Sequence, residues 1–207
     1  MARFFCIVFV VYCFAEFSQP QFECEKIVKD SAKMEELKKF IKSVNSFTSK
    51  FEQISFSSSS GQVDVGRGRL FGRKPRNIRI EYESPEIALY VLSANKAYSL
   101  NVSTGVKEFF KIDQNDLEKF PVNLLVGGEL QKDLIFQGVC QNIYGLLFSF
   151  AKTVDSKEEY KLRILVNDAF SSVLGIRFDD FGGVVNAFLL DDFKTGVSFY
   201  SDFFKVE

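Results

Sequence analysis

The chain has 207 residues, enough for one domain with a sizeable core. Lys+Arg is 26 and Asp+Glu is 27, a balance that argues against nucleic acid as the main partner. There is no His, which removes the commonest metal ligand and the commonest general base.

Met1 to Arg3 is a short basic start, and Phe4 to Ala15 is an apolar run of 12 residues. That run is too short to span a bilayer as a helix and fits the core of a signal peptide. Cys13 and Ala15 supply the small residues of a cleavage site. Residues 1–15 are therefore expected to be removed, leaving 16–207 as a single domain. Tyr12 precedes Cys13 and Glu23 precedes Cys24, and neither is the small residue that a lipid-attachment site needs. The mature chain keeps Cys24 and Cys140. In an oxidising compartment these either pair or remain two separate buried thiols.

Residues 25–45 read as one amphipathic helix. Ile27, Met34, Leu37, Ile41 and Val44 make an apolar stripe, and Asp30 or Ser31 is placed to cap its main part. From Phe47 the period changes to two. Ile78, Ile80 and Tyr82 alternate with Arg79, Glu81 and Glu83. Leu146, Phe148 and Phe150 do the same with smaller residues, as do Tyr160, Leu162, Ile164 and Val166 with Lys161 and Arg163. Turn residues stand between these runs at 57–61, 94–96, 103–105, 182–183 and 194–196. The pattern predicts an antiparallel meander of about ten strands.

One segment breaks the rhythm. In 113–136 helical spacing comes in short pieces. Asn115 leads a turn with Leu117 and Phe120, Pro121 ends it, and Asn123 to Val126 starts another that Gly127 and Gly128 break. Its residues alone fit either an ordinary helical crossover or a hinged lid.

Catalytic constellations are missing from the sequence. Without His there is no Ser/His or Cys/His pair, and phosphate loops, CxxC pairs and dinucleotide fingerprints do not occur. Asp179-Asp180 and Asp191-Asp192 are adjacent residues on strands, so each pair points to opposite faces and does not converge on one bond. The cluster Arg67, Arg69, Arg73, Arg76 and Arg79 reads as a solvated strand face with a basic turn. Lys74 differs, because Leu70, Gly72 and Lys74 share one parity and so one face. The reading is of a non-enzyme with no cofactor and no metal. Phe is in excess at 25 residues, which suits either a ring-rich core or a wide apolar cavity.

Phe47, Phe51 and Gln53 form an F-x-x-x-F-x-Q strand. Gly68, Leu70, Lys74, Pro75, Ile78, Arg79, Ile80 and Tyr82 follow in the spacing G-x-L-x-x-x-R-P-x-x-F-R-W-x-Y. Together they resemble the LolA family of periplasmic lipoprotein carriers, and the likeness runs on through Asn123 to Gly128 and the later hairpins. Lys74 stands where the family has Arg, and Ile78 and Ile80 where it has Phe and Trp. The resemblance implies a mainly β (α+β) fold: a strongly curved antiparallel sheet, or incomplete β-barrel, with an N-terminal helix and a helical lid. It implies a periplasmic carrier that shields lipoprotein acyl chains and moves them from the inner to the outer membrane. The partners implied are acylated lipoproteins, an inner-membrane lipoprotein-releasing ABC transporter and, where one exists, an outer-membrane receptor lipoprotein. The carrier is expected as a monomer. The alternative is a stationary lipid-sensing or protein-binding envelope module of the same fold. The expected acyl-chain cavity is walled by Phe47, Phe51, Leu70, Ile78, Ile80, Tyr82, Leu146, Phe148, Phe150 and Ile164. The lid would carry Leu117, Phe120, Leu124 and Leu125. Lys74 would be its latch, bonded to carbonyls of segment 113–136, with Arg73 turned outward. The family usually adds a final F-x-F-x-P-P strand; here it is either missing or supplied by Phe203-Phe204.

Overall fold

The computed structural model describes residues 19–112, 122–127, 130, 134–154, 157–180 and 182–206. The expected signal peptide and the 113–121 part of the lid lie outside them.

Among the described residues, eleven antiparallel strands form one open sheet. They are β1 Ser46–Ser57, β2 Gln62–Arg73, β3 Asn77–Ser84, β4 Ala88–Ser93, β5 Lys96–Asn101, β6 Lys107–Lys111, β7 Leu134–Asn142, β8 Gly145–Val154, β9 Lys157–Val166, β10 Val173–Asp180 and β11 Val184–Thr195. The order is β6-β5-β4-β3-β2-β1-β11-β10-β9-β8-β7. Two meanders therefore flank a central pair, in which Phe51 lies opposite Leu190 and Gln53 opposite Phe188.

The sheet curls. Leu92 and Ala97 of β4 and β5 share one buried cluster with Val139 and Phe148 of β7 and β8. Neighbouring strands lie about 4.8 Å apart, and these pairs are seven to nine places apart in the order, so in a flat sheet those groups would be roughly 35–45 Å from one another. A helix fills the concave side between them. This helix, α1, spans Ser31–Ser43. Asp30 is its N-cap, accepting from Lys33 N–H at 3.0 Å, as that side chain does at helix starts. Met34, Leu37, Phe40 and Ile41 are its buried stripe.

The helix is shorter than its sequence pattern predicts. Residues 25–30 lie outside it, Val28 exchanges two 2.9 Å backbone hydrogen bonds with Val139, and Ile27 is 49% exposed. The Asp30 cap and pairing with the β7 edge outweigh the helical spacing of Ile27.

Both ends of the described chain pack on the convex face. On one wing Phe22 is buried with Cys140, Leu147, Leu165 and Ala187. Cys24 and Cys140 are disulfide-bonded, with Cα atoms 6.4 Å apart. On the other wing the chain turns off the sheet at Gly196, a site expected to be a hairpin turn. Phe204 is buried against Val91 and Tyr98, with Phe71, Phe199 and Phe203 around it. Among the described residues no strand follows β11, and Phe203-Phe204 supplies none. Their rings pack on the outer face instead.

Candidate functional site

An apolar cavity of about 440 Å³ opens on the concave face toward β6. Its walls come from Ile78, Ile80 and Tyr82 of β3, Tyr90 and Leu92 of β4, Ala97 of β5, Phe110 of β6 and the following Ile112. Strand alternation sends Ile78, Ile80 and Tyr82 to this side, and the register sets them against Leu92, Tyr90 and Ala88. Phe47, Phe51, Leu70, Leu146, Phe148, Phe150 and Ile164 stand on the same face. They belong to the buried cluster that includes Leu37 and Ile41 of α1.

The second helix, α2, spans Asn123–Gly127, and Leu124 and Leu125 are buried in that cluster. Leu117 and Phe120 fall outside the described residues. Helix α2 approaches β2 closely at Gly72: a Cβ there would lie 2.2 Å from the Phe47 ring and 2.8 Å from Val126 Cγ1.

The turn between β2 and β3 holds both helices. Lys74 Nζ donates to the carbonyl oxygens of Ile41 and Lys42, each at 2.9 Å. Its backbone N–H donates to Asn45 O at 2.8 Å, and Arg76 N–H donates to Val126 O at 3.2 Å. Among the described residues the Lys74 ammonium thus binds the end of α1, where a cation also meets the negative end of the helix dipole. The expected bonds to carbonyls of segment 113–136 fall mostly on residues outside the described ones; within α2, the main-chain N–H of Arg76 donates to Val126 O. Lys74 sits one residue past the end of β2, so strand parity no longer aims it. Burial lowers its pKa from the usual lysine value. Arg73 faces outward, with its guanidinium 5.0 Å from the Phe204 ring.

A row of polar groups adjoins the cavity. Tyr82 O–H donates to Gln53 Oε1. Gln53 Nε2 donates to Ser55 Oγ at 3.2 Å, and Ser55 Oγ donates to Asn186 Oδ1 at 2.6 Å. Tyr82 reaches β1 across β2 because Gly66 has no side chain; a Cβ there would stand 2.9 Å from the Tyr82 ring. Burial raises the Tyr82 phenol well above its ordinary value, and the charge of Tyr90 adds to the rise. Sequence reasoning singled out Gln53 without a role and missed Ser55, Asn186 and Tyr90. The available signal was parity, since Phe47, Phe51, Gln53 and Ser55 share one face.

The carboxylates and other arginines have structural partners. Asp179 takes Arg163 at 2.8 Å and Arg177 at 2.6 Å. Arg67 pairs with Glu52 at 2.7 Å, and Arg69 with Glu81 at 3.0 Å. Among the described residues no group of three or more acidic or Cys side chains is placed to hold a metal ion. No helix among them is long and apolar enough to cross a membrane.

The profile of the family described as outer membrane lipoprotein carrier protein LolA matches residues 42–207. Among curated proteins the sequence finds no match. Among solved structures, an uncharacterised conserved protein from Thermus thermophilus is similar at a TM-score of 0.52 and 15% identity, over 86% of this chain and 94% of that one. A LolA superfamily protein from Nitrosomonas europaea gives 0.47 at 10% identity, over 86% and 98%. The MucA/MucB complex of Pseudomonas aeruginosa gives 0.46 at 13%, over 86% and 60%. At such identities the first of these supports the fold and nothing further.

Proposed function

The chain belongs to the LolA family, and from that premise we propose that it is a periplasmic carrier of lipoproteins. It shields their acyl chains on the concave face and moves them from the inner to the outer membrane. The observation that carries this reading is the apolar cavity of about 440 Å³ walled by Ile78, Ile80, Tyr82, Tyr90, Leu92 and Phe110. Each exposed methylene costs about 0.8 kcal/mol in water, so a lipid anchor of two or three chains costs on the order of tens of kcal/mol. Hiding the chains removes that cost, and no bond is made or broken.

The cargo arrives from an inner-membrane ABC releasing complex and passes to the outer membrane, or to a receptor lipoprotein there. Delivery requires that the closed and loaded states lie near in energy, because tight holding would prevent release. Held by α2 and the Lys74–Arg76 turn, the concave face is the element whose opening admits the chains. Extraction of the purified protein followed by lipid mass spectrometry tests the reading. Recovery of acylated protein or diacyl lipid supports it. A lipid-free protein that also fails to accept an acylated cargo from membranes overturns it.

A further inference from the structure

The hydrogen bonds of the Tyr82–Gln53–Ser55–Asn186 row all run one way. Tyr82 donates to Gln53, Gln53 to Ser55, and Ser55 to Asn186. An amide nitrogen carries two hydrogens. One N–H of Gln53 and both of Asn186 are left over, and among the described residues they meet no partner. All four side chains are partly exposed rather than sealed. The row therefore presents spare donors on an otherwise apolar face.

Tyr82 belongs to the row and to the cavity wall alike. A ligand whose chain lies against Ile78, Ile80 and Tyr82 would carry its polar end over Gln53 and Asn186. The charge across the strand pair from the row decides what that end is. Asp64 lies directly across from Ser55 on β2, and Gln62 Nε2 donates to its carboxylate at 2.8 Å. A negative neighbour disfavours phosphate or carboxylate beside the row. Lys111 lines the cavity from the sheet edge at β6, whereas Asn186 is on β11.

We propose that this row is a polar subsite for the neutral ester and amide carbonyl groups that join acyl chains to their carrier molecule. The proposal rests on the carrier reading above and adds to it a means of setting the depth at which a chain is held. Carbonyl oxygens are acceptors without charge, which matches spare N–H donors beside a carboxylate. Both a diacylglyceryl-cysteine and a glycerophospholipid carry such carbonyls; Asp64 favours the first.

The test uses the whole mature protein and two probes of equal chain length, a dialkanoylglycerol and its dialkyl ether analogue. Wild type should bind the diester roughly tenfold tighter, the effect of one or two neutral hydrogen bonds. Gln53→Leu and Asn186→Asp should each remove that preference while ether binding stays within about twofold. Asn186→Asp keeps the acceptor for Ser55, so it guards against a folding defect in the first variant. Equal affinity of wild type for both probes, or an undiminished preference in both variants, overturns the subsite and leaves the carrier reading standing. Failure to bind either probe overturns the carrier reading itself. In a second arm, a diacylglyceryl-cysteine peptide should compete better than phosphatidylglycerol; the reverse order overturns the selection for neutral groups.

Discussion

The Lys74 ammonium lies 2.9 Å from the Ile41 carbonyl oxygen, so a charge on the β2–β3 turn closes the last turn of α1. A hydrogen bond from a charged group contributes about 1.5–3 kcal/mol, and partial exposure of the lysine reduces that. Lys74→Leu should therefore destabilise the protein by about 1–2 kcal/mol in urea unfolding and speed amide exchange at residues 41–45. Lys74→Arg keeps the charge and should keep the protection. Unchanged exchange in Lys74→Leu would show that α1 is held by its apolar stripe alone.

Gly72 sets the distance between α2 and the sheet. In Gly72→Ala the new methyl meets the Phe47 ring and Val126, which lie 2.2 and 2.8 Å from its position. Overpacking of this kind costs about 1–3 kcal/mol. Because α2 is the shorter and less anchored element, it should yield first. Raised exchange at residues 123–127, with β1 and β2 still protected, is the expected outcome.

Tyr82 makes stability fall in alkali. Its folded pKa is raised by burial above the ordinary 10.0, so the unfolded chain releases its proton first as pH climbs. The contribution is complete below pH 10.0 and is lost as pH rises from there toward the folded pKa. The slope reaches at most about 1.4 kcal/mol per pH unit. Urea melts of wild type and Tyr82→Phe at about pH 9 and pH 11 should differ in slope, the variant being flatter. Parallel slopes would place the phenol in water.

The Cys24–Cys140 bond closes a loop of 116 residues. The chain-entropy account assigns such a loop about 4–5 kcal/mol as an upper bound. Reduction, or the double Ser variant, should lower the melting temperature by roughly 10 °C for a chain of this size. Thiol titration of the unreduced, unfolded mature protein should find neither cysteine free; two free thiols would refute the bond.

Local patterns made much of the architecture legible. Alternation from Phe47 onward marks the strands, and the Asn- and Gly-containing turns mark their ends. Asp30 marks the cap of α1. The polar row was hidden because it joins three strands that only the sheet order brings together, across a glycine at 66. The partner of Lys74 was hidden because parity assigns a face within a strand, and Lys74 lies just beyond Arg73, the last residue of β2. The aromatic ending reads equally well as a strand or as a plug; what decides it is the outer face of β2 to β5, on which Phe203 and Phe204 find Phe71, Val91 and Tyr98.

The pairing of β1 with β11 imposes an order of assembly. Each wing is a meander of neighbours in sequence, so each can form soon after its own residues are free. The two central strands are joined across most of the chain, Phe51 to Leu190. Contacts of such separation carry the largest loop-closure cost and form late. In a chain released from its N-terminus, the concave face cannot exist until β11 has emerged, and the Phe-rich halves must wait side by side until that final strand seals them.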